Sequence, residues 1–131
     1  MPVTKINPPA LPDAAAMGYS QITTSAPGTL IQMSGQVAWS RDGAPVPADI
    51  AEQAKRAMDN VKAGLEAAGA GIGDITLARL YVVNLDPEKM AAAAAPLMEF
   101  FGGQAPCVTA IGVTSLAAPD LLIEIEVTAV I

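Results

Sequence analysis

The hydrophobic positions change period along the chain, and those changes mark out its elements. From Asp49 to Ala68 they recur at helical spacing. Ile50, Ala54, Ala57, Met58, Val61, Leu65 and Ala68 form one apolar stripe, while Lys55/Asp59 and Lys62/Glu66 stand four apart on the wet side. Asp49 can cap this helix, Glu52 completes a capping box, and Gly69 stands where a left-handed residue ends it. A second helix opens at Asp86, with Pro87 in its first turn, and runs to Phe101 before Gly102-Gly103; Pro96 in its interior is expected to kink it. Ile75 to Asn84 reads as a strand, as do Cys107 to Val113 and Leu121 to Ile131. The last of these alternates. Leu121, Ile123, Ile125, Val127, Ala129 and Ile131 point one way, a natural bed for two helices, and Leu122, Glu124, Glu126, Thr128 and Val130 point the other.

Ahead of the first helix, Tyr19 to Thr24 and Leu30 to Val37 look β-like, and Ala26-Pro27-Gly28 between them predicts a hairpin. Residues 1–18, rich in Pro and Ala, read as an irregular arm with a possible edge strand at Val3 to Ile6. The pattern predicts an α+β fold in which two helices cover one face of a sheet, in one domain spanning 1–131. One helical layer leaves the opposite face bare, and Leu122 and Val130 there are too apolar for water. That face is therefore expected to be buried between copies of the chain.

Composition narrows the chemistry. Seven Lys plus Arg against thirteen Asp plus Glu give a net charge of −6, which leaves little with which to neutralise phosphates, so nucleic acid is an unexpected partner. The absence of histidine removes Ser-His and Cys-His dyads and most transition-metal sites. Cys107 is the only cysteine, so no disulfide framework exists; without a nearby cation it reads as a small buried hydrophobe rather than a nucleophile. The start lacks an apolar signal core, and the run Met90 to Met98 falls far short of the roughly 20 residues that span a bilayer. A cytoplasmic protein with no membrane contact is the expectation. Gly69 to Gly73 follows a helix and precedes a strand, so it reads as a helix stop rather than a phosphate loop. Met33, Met58, Met90 and Met98 read as core filler, and the alanines at 91–95 as a helix that must pack closely.

The sharpest oddity is the pair Glu124 and Glu126 on one side of a strongly apolar strand. They are either solvated or paired across an interface, or one of them sits at the edge of an apolar cleft where a carboxylate can hold or deprotonate water. Spacing alone leaves both options open.

Gly18-Tyr19-Ser20-Gln21, Met33-Ser34-Gly35-Gln36, Asp49 to Gln53 leading to Asn60-Val61-Lys62 and Leu65 to Ala70, Glu99-Phe100-Phe101-Gly102, and Ile123 to Val127 follow one another in a telling order. In order and spacing the chain resembles the RidA/YjgF family from about Tyr19 to the C-terminus. The resemblance implies a chorismate-mutase-like fold, with a mixed, mainly antiparallel sheet backed by two helices. It also implies a homotrimer with three clefts between subunits, and hydrolysis of small enamines and imines to a ketone or keto acid and ammonia, with no cofactor and no metal. Carried over residue by residue, it makes Glu124 the holder of the attacking water, and places Tyr19, Ser34, Gly35, Val108 and Ala110 in the cleft.

One feature of the family is missing. Pro106-Cys107-Val108-Thr109 stands where the family has Pro-Ala-Arg-Ser/Thr, so Val108 occupies the place of the arginine that pairs with the substrate carboxylate. An isopropyl group removes that clamp and leaves an apolar wall beside Glu124. Three readings follow. The chain is an imine or enamine hydrolase whose substrate lacks a carboxylate there, or has one held by Arg41 or Arg79; or a non-catalytic binder of a small apolar metabolite; or a structural, partner-binding trimer.

Overall fold

The computed structural model describes residues 3–131, so the first two residues of the expected arm lie outside it. Its strands are β1 (Val3–Ile6), β2 (Ile22–Ser25), β3 (Leu30–Gln32), β4 (Ile75–Val83), β5 (Cys107–Val113) and β6 (Ile123–Val130), and its helices α1 (Ile50–Ala67) and α2 (Pro87–Phe101). The central sheet runs β3-β6-β4-β5, antiparallel except for the parallel pair β4–β5.

Both helices begin where their caps require. The Asp49 carboxylate accepts from the N–H of Glu52 at 3.1 Å, and that of Asp86 from the N–H of Lys89 at 2.8 Å. The reciprocal half of the capping box is absent because the Glu52 side chain turns to Lys55. Gly69 and Gly102 adopt the left-handed backbone that closes each helix. α2 continues through the buried Pro96. The core lies between α1, α2 and one face of the sheet, formed by Ala54, Met58, Val61 and Leu65 against Leu80, Ile123, Ile125 and Val127.

The expected hairpin is not formed. β2 pairs with β1 in a separate two-stranded sheet, while β3 pairs with β6. The reason is burial. Ile31 of β3 lies opposite Ala129 and packs on the core, whereas Thr24 and Ser25 of β2 are exposed and gain nothing there. Pro27-Gly28 thus makes a corner between sheets. Thr29 and Ile131 exchange backbone hydrogen bonds, and a side chain at residue 28 would strike the Ile131 carbonyl. The strands are also shorter than expected, leaving Tyr19 and residues 33–37 outside them. Three stripe or core assignments fail as well: Ala68 and Ile131 are exposed at element ends, and Met98 is 49% exposed. Cys107 is half-buried, with its thiol directed at the Gln21 carbonyl and the Thr23 hydroxyl.

Gln53, which the apolar stripe of α1 did not include, is fully buried. Its amide donates to the carbonyls of Pro47 and Asp120, and its oxygen accepts from the N–H of Leu122, each at 2.8 Å. One side chain thereby ties α1 to the segment that enters β6.

Candidate functional site

The face of the sheet away from the helices carries both glutamates. Cross-strand register sets Glu126 opposite Arg79 and Glu124 opposite Tyr81. Glu126 is engaged: its Oε1 accepts from the Tyr81 hydroxyl at 3.0 Å and from Arg79 Nη1 at 3.4 Å. That hydrogen bond, followed by burial and the charge of Glu126, pushes the Tyr81 phenol above its usual range, so it remains a donor. Glu124 makes no ion pair among the described residues. Its carboxylate instead lies against Gly35. Gln36 and Ile125 exchange backbone hydrogen bonds of 2.7 and 2.9 Å, which draws the segment from Ser34 to Gln36 alongside β6. A Cβ at residue 35 would collide with Glu124 Oε2, so any larger residue here would push the carboxylate out of its present position. Ser34 is exposed beside it.

Val108 and Ala110 lie on the other face. Their register partners are Ala78 and Leu80, which point into the helical layer. Between α2 and this edge of the sheet is a cavity of about 290 Å³ lined by apolar groups and Tyr19. The segment carrying Tyr19 is tied to the start of β5: Ser20 donates its N–H to Pro106 O at 2.8 Å and its hydroxyl to Ala105 O at 2.6 Å. Gly18, in left-handed backbone, turns the chain so closely over Met98 that a Cβ there would meet the Met98 side chain at 2.8 Å.

The candidate residues therefore fall into two groups: Ser34, Gly35 and Glu124 on one face, and Tyr19, Val108 and Ala110 on the other. The expectation that Glu124 lies beside Val108 is incorrect within one chain. Tyr81, the β4 partner of Glu124, and Ala78, the β4 partner of Val108, are three apart and so point to opposite faces. A site using both groups takes one from each of two copies. Of the two proposed anion anchors, Arg79 pairs with Glu126 on the same face of the sheet as Glu124, and Arg41 lies in an exposed loop and does not line the cavity. Sequence reasoning also missed a cation beside the cavity, Lys5, which lines an adjoining space of about 310 Å³ that shares Gly18, Tyr19, Met98 and Phe101 with it. Met17, Met90, Ala94 and Leu97 of the cavity wall were missed as well. The alanine run was their only signal, because small side chains on α2 leave room against β5.

Residues 10–131 match the family model described as Endoribonuclease L-PSP. The chain is 38% identical over 106 residues to the 2-iminobutanoate/2-iminopropanoate deaminase of Escherichia coli (strain K12), which covers 79% of this chain and 80% of that protein. It is 38% identical over 104 residues to a RutC family protein of Pyrococcus abyssi, covering 78% and 79%. Among solved structures, the Rid-family protein YyfB from Yersinia pestis, itself of unknown function, superposes over 100% of both chains with a TM-score of 0.94 at 37% identity. Escherichia coli TdcF with bound serine superposes over 86% of this chain and 87% of its own, at a TM-score of 0.71 and 31% identity. With this fold and these relatives, the chain belongs to the RidA/YjgF family.

Proposed function

We propose that the protein is a homotrimeric hydrolase of imines or enamines. Its cleft lies between copies, with Glu124, Gly35 and Ser34 of one copy facing Tyr19, Val108 and Ala110 of the next. The observation that carries this reading is the difference between the two glutamates: Glu126 is occupied by Tyr81 and Arg79, while Glu124 lies against Gly35 with no counter-ion among the described residues. An unneutralised, positioned carboxylate suits a general base. Glu124 holds a water and takes its proton as the oxygen adds to the imine carbon; that proton passes to nitrogen to give a carbinolamine, the hydroxyl proton is then transferred to nitrogen as the C–N bond breaks, and the carbonyl product and ammonia leave. One water is consumed per ammonia released. No helix among the described residues is long and apolar enough to cross a membrane. The ribonuclease in the family model's description finds little support in this chain, with its net charge of −6 and no histidine.

Light scattering coupled to size exclusion tests the assembly. A trimer mass at micromolar protomer concentration is expected, and a monomer mass would leave Glu124 and Val108 on separate surfaces. The chemistry is tested by generating an imine with an oxidase and trapping it with semicarbazide, with and without this protein. Slower semicarbazone formation in the presence of the protein supports hydrolysis; an unchanged rate of formation on charged and uncharged imines alike favours the binding-only reading.

The relatives' names point to small 2-imino acids, and on these the chain is expected to be poor. A guanidinium–carboxylate contact contributes about 1.5–3 kcal/mol, so its loss at Val108 lowers transition-state binding by roughly ten- to over a hundredfold. In the same trapping assay, Val108→Arg should recover much of that deficit. A parent rate already equal to that of an arginine-bearing relative would show that another group, such as Lys5, supplies the clamp.

A further inference from the structure

The walls of the cavity between α2 and β5 define the kind of group it can receive. Met17 and Tyr19 close it from the arm, Met90, Ala94 and Leu97 form its side on α2, and Val108 its side on β5. Among the described residues no charged side chain lines it, and Tyr19 brings a hydroxyl. An ion entering this space would lose its hydration with nothing to replace it, whereas an apolar group gains. The volume, about 290 Å³, is at the low end of the roughly 300–1,000 Å³ typical of small-molecule pockets, enough for one substituent rather than a whole large ligand. Three of the lining residues are methionines, Met17, Met90 and Met98, whose unbranched, polarisable side chains adapt to different shapes.

We infer that this cavity receives the apolar substituent of the substrate. The protein would thus act on uncharged imines or enamines bearing a branched aliphatic group or a single aromatic ring. The chemistry at the mouth of the cavity rests on the hydrolase reading above; the identity of the occupant does not. The methionine lining further implies tolerance, with affinity following the size of the apolar group more than its outline.

A series of uncharged methyl ketones of increasing size tests this: acetone, 4-methyl-2-pentanone and phenylacetone, titrated into the intact protein carrying isotope-labelled methionine methyls and followed by NMR. Each methylene removed from water raises affinity about fourfold, so phenylacetone should bind about tenfold or more tighter than acetone. The methyl signals of Met90 and Met98 should move on binding, and that of Met58, buried in the main core, should not. Filling the space by Ala94→Phe, or independently from the other wall by Ala110→Leu, should abolish the gain with size; either variant suffices if the other does not fold. Equal affinity across the series, as when a second copy fills the cavity, would overturn the inference, and so would a gain that survives both filling variants. If the binding series behaves as expected but no imine is hydrolysed, the occupant stands and only the hydrolase reading falls.

Discussion

Glu124→Gln is expected to lower the rate of imine hydrolysis about 10²–10⁴-fold, the range typical when a positioned general base is removed, while leaving the assembly intact. Glutamine keeps the volume against Gly35 and can still hydrogen-bond a water, but it cannot take its proton. The assay is semicarbazide trapping of the uncharged imine formed by a flavin amine oxidase from 2-phenylethylamine, with light scattering to confirm unchanged mass. Glu126→Gln is the control. Its carboxylate already accepts from Tyr81 and Arg79, and with Arg79 and Glu126 side chains 44% and 38% exposed the ion pair is weak, so its loss should cost little stability and little turnover. Gly35→Ala approaches the same carboxylate from the other side. Glu124 is retained but its oxygen is displaced by the added Cβ, so turnover should fall with the base still present. A Glu124→Gln variant as fast as the parent would remove the catalytic assignment and leave the binding reading in its place.

The position of Glu124 was legible because β6 alternates without interruption: Ile123, Ile125 and Val127 are buried, and the residues between them must face away. What could not be read was its relation to Val108. Each strand's own alternation is visible in sequence, but which face of β5 matches which face of β6 depends on how each registers with β4. Moving either pairing by one residue would have put the two side chains on one face. The hairpin failed for a related reason. Ala26-Pro27-Gly28 encodes a change of direction, but whether β3 returns to β2 or joins β6 is decided by where Ile31 finds a core. The cavity was illegible because its wall comes from separate segments, the arm, α2 and β5, and no local pattern records the space between them.

Gln53 was missed although its place was visible in the pattern. It lies three residues after Ile50 and four before Ala57, inside the apolar stripe, and polarity alone argued against burial. Gln53→Ala is expected to be the most destabilising single change considered, at about 3–5 kcal/mol. It strands the N–H of Leu122 and the carbonyls of Pro47 and Asp120, and each unsatisfied buried group costs about 1–3 kcal/mol where water does not reach it. For a domain of this size the melting temperature should drop by roughly 10–20 °C, compared at equal protomer concentration because assembly also contributes. Gln53→Glu separates hydrogen bonding from volume: the shape is retained, but the carboxylate offers no donor to Pro47 and Asp120. If hydrogen bonding dominates, glutamate should be as harmful as alanine near neutral pH, and partial recovery is expected on acidification, when a protonated carboxyl can donate once. A loss below about 1 kcal/mol for Gln53→Ala would show that water enters and satisfies all three groups.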